Sequence, residues 1–397
     1  GDGRLSPLST PSATRAVLEA HGIGTKYTLG QNFLVNDDVL KKIIALAEVD
    51  EADRVLEVGP GIGTLTIALL KHAASVAAIE RDPDLPAVLA DTLHPWREKF
   101  ALIEKDALDV TEGDIVSAAS TVAEFGGISG GAHQASSAAK FTSTMVEPGG
   151  DTGCPDRASS AANETAQWAV SQSEDCLSES GYPVAPPQED LQLSLPDKLV
   201  ANLPYAVAAT IVLDYFESFP FLDSATIMVQ KEVADRMAAA VGTKNYGAYT
   251  VKLGLYAEPA GRFAVGPGNF FPPPRVDSAV IRLNRRVPLM ADGAPATPEV
   301  IAAAALIADA AFANRRKTIA NSCKTYFSGR GPVSLGVAGS SAEESGPRIV
   351  LLDGAAIAER LPAIFDAAAI DLRRRGETLT QQEFLALGAA LLKEATV

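Results

Sequence analysis

The stretch Arg54-Val-Leu-Glu-Val-Gly-Pro-Gly-Ile-Gly63 decides the fold. Its first five residues are mostly apolar and β-branched and read as a short buried strand. The three glycines that follow end that strand in a loop, and Thr64–His72 then carries apolar residues at helical spacing. Glycines at such a junction let the backbone turn sharply and approach a ligand, while the helix behind them offers free N–H groups. A tight strand-to-helix turn would account for the glycines alone. The dinucleotide fingerprint GxGxxG, counted from Gly59, needs glycine at the position of Thr64, which disfavours a nicotinamide cofactor without excluding it.

Working outward from this loop, the same alternation continues. Helices are predicted over Ala13–His21 and Val39–Ala47 before it. After it come a strand over Ser75–Glu80, a helix over Leu85–Leu93 and a strand over Ala101–Lys105. Strands alternating with helices imply a parallel sheet with right-handed crossovers. From about Ala118 to Pro196 the pattern breaks into Ser, Ala, Gly, Glu and Pro with few large apolar residues. Such a segment cannot offset an ordering entropy of about 1–2 kcal/mol per residue, so it reads as a disordered insertion in a surface loop.

The array resumes with strand Lys198–Ala201, helix Val207–Glu217, strand Ala225–Val229, helix Lys231–Ala240 and helix Tyr246–Tyr256. Arg262–Val265 and Ala279–Leu283 read as closing strands of antiparallel sense. Beyond Pro288 the chain is Ala-rich and helical, interrupted by a Gly/Ser-rich stretch from Ser328 to Pro347. The expected organisation is a lead and short helix over residues 1–25, an α/β domain with a mostly parallel central sheet over 26–287, and a smaller helical domain over 288–397.

The bulk composition sets limits. A chain of 397 residues has room for two domains, and 47% hydrophobic with 21% charged residues matches a globular protein in water. No run of 18 apolar residues marks a membrane span, and residues 1–18 lack the apolar core of a secretory signal. Cys154, Cys176 and Cys323 form no CxxC pair, which suits a reducing, cytoplasmic setting. His21, His72, His94 and His133 are scattered without metal-site spacing. The net charge of −15 is unfavourable for a nucleic-acid partner, but it is unevenly placed. Twelve acids and only two bases, Lys140 and Arg157, lie between Thr111 and Pro196, so that segment carries −10 and the remainder only −5.

Three strand ends carry polar groups suited to one ligand. Gly59 opens the loop; Glu80 closes the next strand, where a carboxylate can accept from both hydroxyls of a ribose; Asp106 follows the third, where it can accept from an adenine amine. Either acid alone is commonly a solvated residue. The fourth strand ends in Asn202-Leu-Pro-Tyr205. An exocyclic aromatic amine is a poor nucleophile, because its lone pair is delocalised into the ring. The Asn202 side-chain oxygen and a backbone carbonyl of Leu203 or Pro204 can accept from its two N–H groups and favour a pyramidal nitrogen. Pro204 stiffens the turn, and Tyr205 offers a face on which a flipped base can stack, worth about 1–3 kcal/mol. A strand ending in a proline turn is the plainer reading of the tetrapeptide.

Several motifs then occur in a recognisable order: Leu29-Gly-Gln-Asn-Phe-Leu34, the glycine loop, Asp106-Ala107, Asn202-Leu-Pro-Tyr205, Gln230-Lys-Glu-Val233, Phe270-Phe-Pro-Pro-Pro-Arg-Val-Asp-Ser-Ala-Val280 and Ala311-Phe-Ala-Asn-Arg-Arg-Lys-Thr-Ile-Ala-Asn321. Together they resemble the KsgA-type ribosomal RNA small-subunit adenine dimethyltransferase family, from about Ala13 to Leu392 without the stretches near 118–196 and 328–350. The resemblance implies a class I methyltransferase (Rossmann-like) domain followed by a helical C-terminal domain. It also implies transfer from S-adenosyl-L-methionine to N6 of two adjacent adenines near the 3′ end of small-subunit rRNA, during ribosome assembly.

By position, Asn32, Leu34, Gly59, Gly61, Glu80, Asp106 and Asn202 would line the cofactor pocket. Asn202, Pro204, Tyr205 and Phe270 would hold the target base, with Phe270 as an aromatic wall facing Tyr205. Arg315, Arg316 and Lys317 resemble the family's basic helix and would contact RNA phosphates. The implied partner is small-subunit rRNA in a pre-ribosomal particle, the implied state a monomer, with no membrane and no metal. The acidic insertion departs from the family and would screen non-target RNA or bind an assembly partner. Three alternatives stay open: a large-subunit adenine methyltransferase of the macrolide-resistance type, a non-catalytic ribosome-assembly factor on the same fold, and a nicotinamide oxidoreductase.

Overall fold

The computed structural model describes residues 3–23, 31–126, 195–336 and 348–397. Residues 127–194, most of the expected insertion, lie outside the described residues.

The elements are α1 (Pro11–Ala20), β1 (Phe33–Leu34), α2 (Asp37–Ala47), β2 (Arg54–Val58), α3 (Thr64–His72), β3 (Ser75–Ile79), α4 (Leu85–Thr92), β4 (Phe100–Ile103) and α5 (Glu112–Gly126). They continue with β5 (Lys198–Asn202), α6 (Ala208–Ser218), β6 (Ser224–Gln230), α7 (Lys231–Met237), α8 (Ala248–Gly254), β7 (Ala257–Val265), β8 (Phe270–Phe271) and β9 (Ser278–Arg285). The C-terminal part holds α9 (Pro298–Phe312), α10 (Ile319–Ser328), β10 (Pro332–Gly336), β11 (Arg348–Asp353), α11 (Gly354–Ala367) and α12 (Gln381–Ala395).

Seven strands form the central sheet in the order β4-β3-β2-β5-β6-β9-β7. β4 to β6 run parallel, and β9 lies antiparallel to both β6 and β7. Alternation along each strand divides the side chains between two faces. Leu56, Ile79, Leu199 and Ile227 join α5, α6 and α7 in one core, while Val55, Val76, Val200 and Met228 join α2, α3 and α4 in the other. The result is a three-layer sandwich.

The chain leaves β2 through β3 and β4 toward one edge, then returns through β5 and β6 toward the other. β2 and β5 are therefore neighbours at a topological switch point, where open α/β sheets leave a crevice beyond the carboxyl ends of the strands. Their ladder has only two register pairs, Val55↔Lys198 and Leu56↔Leu199, whereas β2 with β3 and β5 with β6 have five each. The closed end is fastened by charge. Lys198 Nζ lies 2.7 Å from the Asp53 carboxylate, and Asp197 accepts from the Arg54 amide at 2.8 Å. Burial works against the Asp53 charge, but Lys198 and the Asp50 amide outweigh it and hold its pKa low; burial and the adjacent Asp53 push Asp197 up to about 6.

Three described regions depart from the sequence reading. Residues 118–126 continue α5, because Ile115, Ala118, Ala119 and Val122 fall on one helical face and pack on the core. In the Gly/Ser-rich stretch, Pro332–Gly336 pairs antiparallel with Arg348–Asp353, burying Val333 and Leu335 in alternation; residues 337–347 lie outside the described residues. Phe33–Leu34 pairs with Phe270–Phe271, a ladder without a local signal. The C-terminal helices build a further core that includes Tyr246 and Val251.

Arg285, at the end of β9, donates to the carbonyls of Phe216 (3.0 Å), Phe219 (2.9 Å) and Leu222 (2.6 Å), closing the C-terminus of α6, where exposed carbonyls favour a cation. Replacing it as Arg285→Met leaves those acceptors without a donor. The expected loss is about 2–3 kcal/mol in chemical denaturation, with cofactor affinity in the folded protein unchanged.

Candidate active site

A cleft of about 920 Å³ opens at the carboxyl edge of the sheet, over the parting of β2 and β5. Asn32, Leu34, Gly59, Gly61, Glu80, Asp106, Asn202, Pro204 and Tyr205 all line it, although they come from five separate segments of chain.

Gly59, Gly61 and Gly63 have φ of 70°, 59° and 95°, the left-handed region that side chains disfavour. A Cβ on Gly59 would stand 3.8 Å from the Asn202 carbonyl oxygen and 3.8 Å from the Pro204 ring, so the glycine loop and the Asn202–Tyr205 loop face each other with little more than a methyl's space between them. A Cβ on Gly61 would come within 3.3 Å of the Phe33 ring, which brings the N-terminal segment over the same loop. Gly63 caps α3 without a side chain, leaving the first N–H groups of the helix toward the cleft. The Thr64 hydroxyl beside them is buried and has no hydrogen-bond partner among the described residues.

Two carboxyl groups are buried in one wall. Glu80 follows β3; its carboxylate accepts from the Asp82 amide at 3.0 Å and also from Gly61 and Arg81 backbone. Burial still holds its pKa above the ordinary value. Glu57, within β2, is only 1% exposed and accepts from the Thr66 hydroxyl at 2.7 Å. Burial, with a contribution from the Glu80 charge, pushes it up to about 8. Asp106 differs: its carboxylate takes the Leu108 amide at 3.0 Å and Arg81 at 3.3 Å, and these donors hold it below its ordinary value. Glu57 and Arg81 were given no role in the sequence reading. Strand alternation turns Glu57 toward α3, and only the fold shows that this is also the cleft wall.

Asn202 ends β5. Its amide nitrogen donates to the Asn32 carbonyl at 3.3 Å, which turns the NH2 toward the N-terminal segment and the side-chain oxygen away from it. Leu203 is fastened by its amide to the Met228 carbonyl at 3.1 Å. The Tyr205 hydroxyl shares a 2.5 Å hydrogen bond with Ser278 Oγ, tying this loop to the start of β9; burial raises the phenol pKa, so it stays protonated. The N-terminal segment is held in turn by the β1–β8 ladder and by Asn36 Nδ2 donating to Asn269 Oδ1 at 2.7 Å.

Phe270 is not brought to the cleft. Paired with Leu34, it turns its ring into the sheet core and is 3% exposed. Pro273, Pro274, Arg275 and Val276 line the cleft instead, so the wall from this segment is proline and aliphatic, not aromatic. Arg315, Arg316 and Lys317 are exposed as expected, but in the turn joining α9 to α10 and not on a helix. Asn314 lies at the start of that turn, where its amide donates to Ser322 Oγ at 3.0 Å and so pins the turn to α10.

The comparisons with known proteins agree with this geometry. The model of a family described as ribosomal RNA adenine dimethylase matches residues 24–332. The ribosomal RNA small subunit methyltransferase A of Staphylococcus epidermidis is 31% identical over 96% of this chain and 94% of its own length. The protein of that name from Enterococcus faecalis is 31% identical over 98% of both chains. Among solved structures, a dimethyladenosine transferase from Plasmodium falciparum superposes with a TM-score of 0.54 at 18% identity, over 92% of this chain and 99% of that one. The sheet order with its antiparallel closing strands is that of a class I methyltransferase. A glycine loop, two acidic strand ends and an Asn-Leu-Pro-Tyr turn meeting over one crevice complete the agreement, and the chain belongs to the ribosomal RNA adenine dimethylase family.

Proposed function

We propose that the protein transfers methyl groups from S-adenosyl-L-methionine to N6 of two adjacent adenines near the 3′ end of small-subunit rRNA. The same reading makes it a cytoplasmic monomer acting on an assembling small subunit, with residues 26–287 as its methyltransferase domain and 288–397 as its C-terminal helical domain. The observation that carries the reading is Asn202 at the edge of the sheet: its side-chain amide is oriented by Asn32, and its backbone carbonyl faces the glycine loop, 3.8 Å from where a Cβ on Gly59 would stand.

The donor set suits this cofactor. Helix N–H groups and the unpartnered Thr64 hydroxyl stand beside the glycine loop, Glu80 offers a carboxylate to a ribose diol, and Asp106 with Leu108 offers polar and apolar contacts to an adenine. When bound, the cofactor supplies an electrophilic methyl on a sulfonium. The protein supplies placement. Asn202 Oδ1 and a backbone carbonyl of the Leu203–Pro204 turn accept from the two N–H groups of the target amine, which directs the nitrogen lone pair toward the glycine loop. Tyr205 gives the base a stacking face, and Pro273, Pro274 and Val276 give it an apolar one. No strong base is needed before attack, because the nitrogen becomes acidic only once it carries the new methyl. Bringing both partners together in one orientation provides most of the acceleration. Arg315, Arg316 and Lys317 contact RNA phosphates away from the cleft.

Two outcomes test this. Asn202→Ala should lower methyl transfer to unmethylated small subunits by about 10²–10³-fold, the scale for one lost polar contact to the reacting group, while S-adenosylmethionine affinity by calorimetry changes little. Near-normal turnover in that variant would refute the role of Asn202. The second outcome is pH-dependent. A buried carboxyl pushed from an ordinary value of 4.5 up to about 8 favours folding in full below 4.5, and this contribution is lost as pH rises through about 8. Glu57→Gln, which keeps an acceptor for Thr66 and cannot ionise, should therefore show a flatter decline of thermal midpoint between about pH 5 and 8 than the wild type. Parallel profiles would show that Glu57 ionises freely in the fold.

A further inference from the structure

The cleft is lined by three basic side chains, and two of them are committed. Arg81 pairs with Asp106 at 3.3 Å, and Lys105 pairs with Asp114 at 2.8 Å. The third, Arg275, is exposed and has neither an ion pair nor a hydrogen bond to any of the described residues. A cation held beside acidic groups without a partner of its own is poised for an anion that arrives from outside.

Its support is unusually fixed for a loop. Pro272, Pro273 and Pro274 precede it and restrict φ at three consecutive positions. Phe271 is paired with Phe33 on one side. On the other, the Asp277 carbonyl accepts from the Lys231 amide at 2.9 Å, and Ser278 holds the Tyr205 hydroxyl at 2.5 Å. Arg275 is thus set three residues from the hydrogen bond that positions the base-stacking tyrosine.

Resting on the function proposed above, we infer that Arg275 binds the phosphodiester of the target nucleotide, next to the adenine that enters between Tyr205 and the proline loop. A base lifted out of its stack stays joined to its own phosphates, and these must come to rest at the rim of the pocket that takes the base. A guanidinium there can donate two parallel hydrogen bonds to one phosphate. The contact carries no sequence information; it fixes the register of the strand, so that the amine rather than a neighbouring atom meets Asn202. It also gives this acidic chain a positive element at the one place where the nucleic acid must approach most closely.

The test compares wild type, Arg275→Met and Arg275→Lys on unmethylated small subunits across about 50–200 mM salt. Arg275→Met should weaken subunit binding and raise KM by about three- to tenfold, as for one lost charge-assisted contact. It should also reduce the log–log salt slope by about one unit or slightly less, whereas Arg275→Lys keeps the slope. S-adenosylmethionine affinity should be the same in all three. Wild-type affinity and slope in Arg275→Met overturn the inference, as does a loss confined to cofactor affinity. A wild-type chain that transfers no methyl to small-subunit RNA overturns the function above and this inference with it; an active wild type matched by Arg275→Met overturns the inference alone.

Discussion

The site depends on two neighbouring strands that stop being paired. β2 and β5 share two register pairs and then diverge, with the Asp53–Lys198 ion pair and the Asp197–Arg54 hydrogen bond fastening the end where they still touch. Because the chain winds outward in opposite directions from these two strands, no crossover helix among the described residues fills the gap above them. The glycine loop grows from one lip of the opening and the Asn202–Tyr205 loop from the other, so close that a Cβ on Gly59 would already stand 3.8 Å from the Asn202 carbonyl oxygen. In the function proposed, a cofactor on the first loop would lie beside a base held by the second. Proximity of the two substrates is a property of the sheet before any side chain is considered.

The same wall carries two buried carboxyl groups, and the structure treats them differently. Glu80 receives backbone N–H groups from Gly61, Arg81 and Asp82, which favour its charged form and partly offset the cost of burial. Glu57 receives only a hydroxyl, lies deeper, and feels the charge of Glu80. The surroundings thus favour the charged form more at Glu80 than at Glu57, as expected where like groups share a site and their environments separate them.

Much of this was legible in the sequence, for a physical reason. Strand ends that carry function are marked locally: glycines where φ must be positive, an acid or amide immediately after an apolar run, a proline that stops the strand. Gly59, Glu80, Asp106 and Asn202 each stand at such a mark, and all four reach the cleft. Phe270 does not line the cleft, because its direction is decided by pairing with Leu34, more than 200 positions away, and a two-residue ladder leaves no periodicity to read. Composition misled in two places. The apolar face of α5 is made largely of alanine, and the β10–β11 pair sits in Gly- and Ser-rich surroundings, so both looked poorer in structure than they are. The basic residues 315–317 stand in a turn where a helix was implied, since a run of charges does not tell a helix from the turn that follows one.

The packing also links a basic turn distant in sequence to this cleft. α6 begins directly after the Asn202–Tyr205 loop, and the carbonyl of Ala209 in its first turn accepts from the Tyr249 hydroxyl at 2.9 Å. Tyr249 lies on α8, whose Val251 belongs to the core of the C-terminal helices, together with Tyr246 just before it. Tyr246 donates to the Leu379 carbonyl at 2.7 Å, Gly242 donates to that of Glu377 at 2.8 Å, and the Glu377 carboxylate pairs with Arg315 at 3.3 Å. The links as far as Leu379 and the Glu377 backbone are packed contacts or hydrogen bonds to backbone carbonyls, and the last is a partly exposed ion pair between Glu377 and Arg315. If the proposed phosphate contacts form at this turn, such packing would limit which bases can reach the cleft.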